Sequence, residues 1–482
     1  MGLIGILIAL GLLIWLAYRG WSILLLAPAA AILAAALAGQ PLLAHWTQTF
    51  MTSAAQFVMQ FFPIFLLGAL FGKLMEDSGS VTSIAKYMTE RLGPQRSVLA
   101  VVLAGAIVTY GGVSLFVAFF VLAPMAHQLF RAAAIPRRLM PAAIALGTTT
   151  FTMSALPGTP AIQNAIPMPF FGTTPFAAPG LGFIAALVMF GFGMWWLGRA
   201  EKSARAKGEG YGADVPHASA AEDLVVRERA TTASTFDPPE ALHGRPSDIG
   251  PPIALAALPL VIVVAVNLLM SLLVLPRMDA SFLEKAEWGE TSLAAVGGVW
   301  AVVTALFVAI VVLIAINYRR LPALRDSMDA GANASVLPVL SVASLVGFGS
   351  VVAALPAFGM VRDWVLSIEG GPLVSLAVAT NVLASLTGSA SGGLTIALDA
   401  LGATYLKIAH EQGIDPGLLH RVAVIGAGTL DSLPHNGAVV TLLAVCNSTH
   451  RESYLDIVMV SIVGGLLALA VVIILGTTVG YF

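Results

Sequence analysis

Residues 429–440 read TLDSLPHNGAVV, set between the apolar runs AVIGAG (423–428) and TLLAVC (441–446). An Asp, a Pro, a His, an Asn and a Gly in that setting are costly and serve no packing purpose. Pro removes a backbone donor and stops a helix, while Gly permits tight backbone. The stretch therefore predicts a broken helix, and the surroundings say what kind.

The chain has 482 residues, of which 58% are hydrophobic and only 10% charged, against about 25% charged in a typical soluble domain. Apolar runs of about 20 residues, the length that crosses a bilayer as a helix, recur along it. The composition predicts an all-α polytopic membrane protein. A net charge of −2 and the lack of a basic face give no sign of nucleic-acid binding. A single cysteine, Cys446, leaves no disulfide framework and no cysteine metal cluster, and no metal or cofactor is expected. The first run, MGLIGILIALGLLIWLAYRG (1–20), has no basic leader or A-x-A pattern and reads as a retained first helix.

One long hydrophilic stretch, 201–248, is rich in Gly, Pro, Ala and charge and reads as a linker. It separates 1–200 from 249–482, and these halves resemble each other. IPRRLMPAAIALGTTTFTMSALPGTPAI (135–162) parallels IDPGLLHRVAVIGAGTLDSLPHNGAV (414–439). YGGVSLFVA (110–118) parallels SGGLTIALD (391–399), and FGKLMEDSG (71–79) resembles FGSVVAALPAFG (348–359). Three matches in the same order indicate a duplication.

Basic residues tend to face the cytoplasm. With the N-terminus outside, Arg19, Lys86, Arg91, Arg96, Arg131, Arg137, Arg138, the linker, Arg319, Arg320 and Arg325 are cytoplasmic. Arg277, Lys285, Arg362, Lys407 and Arg421 fall on the other side. This count requires 97–131 to enter and leave on one side, as a re-entrant hairpin with its tip at TYGGVS (109–114). A second hairpin, 372–411 with its tip at TGSASGG (387–393), enters from the opposite side. Broken helices are expected at 139–168 and 417–446. Two inverted repeats with broken helices are the usual plan of secondary transporters.

Four broken places should then meet near the midplane. The first tip offers Thr109, Tyr110, Gly111, Gly112 and Ser114; the second offers Thr387, Ser389, Ser391, Gly392 and Gly393. The first helix break offers Thr152, Ser154, Gly158, Thr159 and Asn164, and the second Asp431, Ser432, His435 and Asn436. Irregular backbone at membrane depth survives inside protein or beside water, and its helix ends suit an anion. The competing reading is close helix packing, which also favours Ser, Thr and Gly. Asp431 and His435 stand apart, because intramembrane ionisable groups are rare and expensive. They match Ser154 and Gly158 of the first repeat, so the second copy alone carries titratable groups. The pair is read as the proton-coupling element; the rival is that Asp431 merely caps a half-helix. With Arg421 and Lys407 placed towards segment ends, an anion would be held by hydroxyls, amides and dipoles. That suits a small monocarboxylate.

Asp399, deep in the second hairpin, is read either as an aid to coupling or as a partner for neighbouring backbone. Glu76 and Asp77 read as a helix terminus at the interface, and Trp15, Trp21, Trp195, Trp196 and Trp288 as interfacial belts. No H-E-x-x-H motif or Ser/His dyad is found, so an enzyme is not expected; a passive channel is the other rival class.

LPGTPA (156–161) and TLDSLPHNGAVVTLL (429–443) resemble the gluconate permease (GntP) family, in its hydroxybutyrate-permease branch, within the ion transporter superfamily. The resemblance extends over the whole chain. It implies uptake of 3-hydroxybutyrate, gluconate or a similar hydroxy-acid across a bacterial inner membrane, with protons, by a homodimer working as an elevator. A sodium-coupled carboxylate carrier or a cation/proton antiporter is the alternative. The gluconate branch has a His where this chain has Gly158 or Thr159, and a His-x-Asn-Asp second motif in place of Pro434-His435-Asn436-Gly437. These departures favour a shorter, less polar acid than gluconate.

Overall fold

The computed structural model describes residues 2–18, 21–212, 250–434 and 436–482. His435 and most of the 201–248 linker therefore lie outside the described residues. In chain order the helices are α1 (Gly2–Tyr18), α2 (Ile23–Leu37), α3 (Leu42–Asp77), α4 (Ser80–Leu92), α5 (Ser97–Tyr110), α6 (Leu115–Ala132), α7 (Met140–Thr148), α8 (Phe151–Ser154), α9 (Ile162–Ala165), α10 (Pro167–Phe171) and α11 (Pro179–Ala206). Then come α12 (Ile253–Arg277), α13 (Leu293–Arg320), α14 (Leu324–Ala354), α15 (Phe358–Leu366), α16 (Pro372–Thr387), α17 (Ala390–Gln412), α18 (Pro416–Ala427), α19 (Gly437–Val445) and α20 (His450–Thr478).

Among the described residues seven helices are long and apolar enough to cross a membrane: α3, α6, α11, α12, α13, α14 and α20. No β-strand occurs among them. The all-α membrane class follows from the chain's long apolar runs, because in lipid a helix satisfies its own backbone.

The helices form two packed groups. In one, α14 runs along α3 and also touches α2, α2 packs on α1, and α12 pairs with α13. In the other, α5 packs on α6 and α7, α16 on α17 and α18, and α11 on α20. The groups meet where α14 touches α17 and α10 touches α13. Between α7 and α9, and again between α18 and α19, the α-helix is interrupted at 149–161 and 428–436 apart from short turns.

Four aromatic positions stay exposed as expected of interfacial tryptophans: Trp15, Trp21, Trp195 and Trp288. Trp196 departs from that reading. Its indole turns inward and donates to Asp456 Oδ1 at 2.9 Å.

That aspartate belongs to a clasp at the base of the α5–α6 pair. Arg138 Nη1 lies 2.8 Å from Asp456 Oδ2, and its Nε lies 2.7 Å from Glu209 Oε1. The Arg131 guanidinium sits 5.2 Å over the Tyr211 ring, and Tyr211 also meets His127. The start of the hydrophilic stretch is thus held against the helix bundle. The hydrogen bond from Arg138 keeps the Glu209 carboxyl below its usual range. A depressed carboxyl stabilises the fold fully above its unfolded value, about 4.3, and loses that effect as pH falls through the folded one. Glu209→Gln should therefore lower the apparent melting point slightly at neutral pH, by the ~0.2–1 kcal/mol of an exposed pair. Melting curves of both proteins should converge as pH falls below the usual carboxylate range; a constant difference at all pH values would contradict the assignment.

Candidate functional site

The tip of the α5–α6 pair is built by hydrogen bonds that the sequence supplies locally. Ser114 caps α6, its Oγ accepting from the Phe116 amide at 3.3 Å. Thr109 Oγ1 lies 2.9 Å from the Gly105 carbonyl and 3.1 Å from the Thr152 hydroxyl. Tyr110 donates to the Pro157 carbonyl at 2.8 Å. The tip is thereby tied to the first helix break.

In that break Gly158 has φ +82°, a left-handed value, and an added Cβ would fall 2.5 Å from the Phe176 ring. Its amide donates to the Pro175 carbonyl at 2.8 Å, and its carbonyl accepts from Asn267 Nδ2 at 3.0 Å. The Thr159 carbonyl accepts from Asn164 Nδ2 at 3.0 Å. Ser154 donates to Thr150 at 3.0 Å within its own turn.

The second half repeats the pattern with different groups. Ser389 caps α17, its Oγ accepting from the Gly392 amide at 3.2 Å and lying 3.3 Å from Ser391 Oγ. Thr387 bonds the Leu383 carbonyl at 2.8 Å. Asn436 caps α19, accepting from the Ala438 amide at 2.7 Å, and its Nδ2 donates to the Gly388 carbonyl at 2.7 Å. One side chain thus starts a half-helix and fastens it to the neighbouring tip. Asn436→Ala should lose the cap, about 1–2 kcal/mol, and free the α16–α17 tip. Faster proteolysis near 388, together with a lower melting point, would show both effects; an unchanged melting point would refute the cap.

Two adjoining cavities result. The first, about 30 Å³, is lined by Thr149, Ser389, Asp431, Ser432 and Asn436 among apolar neighbours. The second, about 80 Å³, is lined by Thr109, Gly112, Ser114 and Gln163, with Phe65 and Gly68 of α3 opposite. Leu115 and Met153 belong to both walls. These volumes hold about two and about five waters, so a substrate must enlarge them. Three helices of eight or more residues begin on these walls: α6 behind Ser114, α17 behind Ser389 and α19 behind Asn436.

Tyr110, Gly111, Thr152, Ser154, Gly158, Thr159, Asn164, Thr387, Ser391, Gly392 and Gly393 lie off both walls. They build the tips and breaks or pack behind them. Asn164 joins a polar network: its Oδ1 lies 3.1 Å from His420 Nε2 and 3.5 Å from Arg421 Nη1. His420 Nδ1 lies 2.7 Å from Thr173 Oγ1. The placement of Arg421 towards a segment end, free to reach water, is corrected here. It is fully buried and donates to the Ala177 carbonyl at 2.7 Å and the Ser154 carbonyl at 3.4 Å. The start of α18 is covered by the loop ahead of α11, so the side chain turns inward. Sequence reasoning also missed Thr149, Met153, Gln163 and His420. Asp399, half-buried on α17, receives a hydrogen bond from Ser350 of α14.

The GntP family permease model matches residues 1–174. Over 486 aligned residues, 99% of each chain, the protein is 41% identical to the uncharacterized transporter YxjC of Bacillus subtilis (strain 168). The chain belongs to the GntP permease family. It is thus a multi-pass membrane transporter. The permease also shares its fold with the Alcanivorax borkumensis YdaH transporter, at a TM-score of 0.53 and 16% identity over 91% of this chain and 90% of that one. It is similar to Neisseria gonorrhoeae MtrF as well, at a TM-score of 0.52 and 14% identity over 90% and 85%. At such identities the likeness speaks for the fold of the permease alone.

Proposed function

We propose that this permease is a secondary symporter that takes up a small hydroxy-monocarboxylate, of the size of 3-hydroxybutyrate, together with protons. The observation that carries the reading is the set of three helix N-termini on adjoining cavities. Each offers a positive dipole end and amide donors suited to a carboxylate. The hydroxyls of Ser432, Ser389, Ser114 and Thr109 suit a substrate hydroxyl, and so few polar side chains suit a short acid better than a polyol chain.

Asp431 gives the coupling its logic. A carboxylate on the same wall as a bound anion repels it, by about 4 kcal/mol at 4 Å and an effective dielectric of 20. Binding becomes favourable once Asp431 carries a proton, so proton and substrate travel together. His435 is proposed as its partner in the transfer. The two halves are proposed to be inverted repeats, with re-entrant hairpins at 97–131 and 372–411. The hairpin-bearing group slides against the other as an elevator, in a homodimer in a bacterial inner membrane with the N-terminus outside and the linker cytoplasmic.

One observation favours a second reading. The Asp431 carboxylate and the Ser432 and Ser389 hydroxyls form an oxygen-rich wall of the kind that also holds Na⁺, as a sodium-coupled carrier or a cation/proton antiporter requires. Uptake of labelled 3-hydroxybutyrate into proteoliposomes separates the readings. An inward proton gradient should drive accumulation by the wild type, while Asp431→Asn and His435→Ala exchange substrate without concentrating it. Accumulation that follows sodium and ignores pH would overturn proton coupling.

A further inference from the structure

The two helix groups meet where α14 touches α17, and a polar contact bridges them there. Ser350 Oγ of α14 donates to Asp399 Oδ2 of α17 at 2.5 Å. Both side chains are half-buried, and among the described residues no other hydrogen bond or ion pair joins these two helices. The flanking contacts are apolar. Gly349 lies so close to α17 that an added Cβ would stand 3.4 Å from Ile396 Cγ2 and 3.7 Å from its Cα. Beside the pair, Phe348, Gly349, Val352, Ile396, Ala400 and Leu401 help to line a cavity of about 240 Å³, closed by apolar and aromatic residues of α1, α15 and α16.

Among the described residues no cation pairs with Asp399. Of the elements packed against α17, α9, α10 and α16 have no titratable residue. On α18, His420 and Arg421 are engaged with Asn164, Thr173, Ser154 and Ala177. The titratable residues of α14, Arg325, Asp326 and Asp329, are exposed in its first two turns. On α17 itself, Tyr405 bonds Ser375, Lys407 pairs with Glu411 at the surface, and His410 is exposed. On α15, Arg362 pairs with Asp363. Along α3, which packs on α14, Lys73 lies 3.2 Å from Glu76 and 3.1 Å from Asp77; this buried cluster replaces the reading of those two carboxylates as an interfacial helix end. Asp399 thus depends on one hydroxyl, and an intramembrane carboxylate with so little support is expensive when ionised.

We propose that Asp399 is a proton-operated latch on the movement of the hairpin-bearing group along α14. When ionised, the carboxylate stays where Ser350 donates to it, because a hydrogen bond to the charged form favours that form. A step along α14 would set an unpaired charge against apolar surface, at a high desolvation cost. A proton from water forms an O–H bond on Asp399, and the neutral side chain is then free to leave Ser350. When the pair has re-formed, the O–H bond breaks, the proton returns to water and the latch is set again. The latch rests on the sliding motion proposed above, but on neither the substrate nor Asp431.

Spin labels on the two helices test this. Arg325→Cys on α14 and Lys407→Cys on α17 are exposed positions, and the natural Cys446 is buried. In the full chain in lipid nanodiscs, without substrate, the label pair should give one distance at high pH and a second population that grows as pH falls. Asp399→Asn has the shape of the protonated acid, so it should elute and melt as the parent does and show both populations at every pH. Ser350→Ala removes the donor to the carboxylate and should move the transition to higher pH; Asp431→Asn should leave it in place. Two populations at every pH in the parent, a pH dependence that survives Asp399→Asn, or one that disappears in Asp431→Asn overturns the latch and leaves the sliding motion standing. A single distance in every variant at every pH overturns the sliding motion and the latch with it.

Discussion

Replacing Arg421 with leucine is expected to cost about 3 kcal/mol or more and to abolish transport. The guanidinium is fully buried on α18, and its donors serve the carbonyls of Ala177 and Ser154 and the amide oxygen of Asn164. Removing it strands two buried carbonyls, each worth ~1–3 kcal/mol when left unsatisfied, and leaves the Asn164 amide oxygen with His420 alone. Ser154 directly follows Met153, which lines both cavities, so the loss reaches the cavity walls. Arg421→Lys keeps the charge but not the planar fork, and should fall between the two. Melting curves in detergent and uptake in proteoliposomes measure this. A leucine variant that melts with the wild type would mean the acceptors find other donors.

Gly393→Ala is expected to be comparably severe for a different reason. A methyl group there would stand 2.2 Å from the Ala384 nitrogen and 2.3 Å from its Cα. The obstacle is backbone, which cannot rotate aside, so the α16–α17 arms must part. Overpacking of this kind costs about 1–3 kcal/mol or more, and it displaces Ser389 at the cavity. The control is Gly191→Ala on α11, whose added methyl meets nothing within 4 Å. Equal expression, melting and uptake for the two variants would show that α16 and α17 do not need their close approach.

The sequence disclosed the helical membrane class because long apolar runs leave no other solution in lipid. It also disclosed the polar wall: Asp431, Ser432 and Asn436 stand out against apolar flanks, and all three line the first cavity. What it concealed was tertiary covering. Arg421 lies five residues into α18, which in linear terms reads as a segment end; the loop ahead of α11, distant in sequence, makes it interior. Lys73 was hidden in the same way. A lone lysine near a helix end ordinarily extends to water, but Lys73 is buried on α3, along which α14 packs. Asn164 was noticed for its polarity, yet its neighbours His420 and Arg421 lie 256 and 257 residues further on, a separation that spacing cannot reveal.

That separation has a consequence for how the protein is made. Ser154, Asn164 and Ala177 leave the ribosome long before the arginine that will serve them. At 5–20 residues per second the wait is roughly 10–50 seconds. Through that interval the nascent first half sits in the membrane with oxygen atoms that have no final donor. Water or an insertion factor must shield them until residue 421 arrives. Maturation of the first half is therefore timed by synthesis of the second.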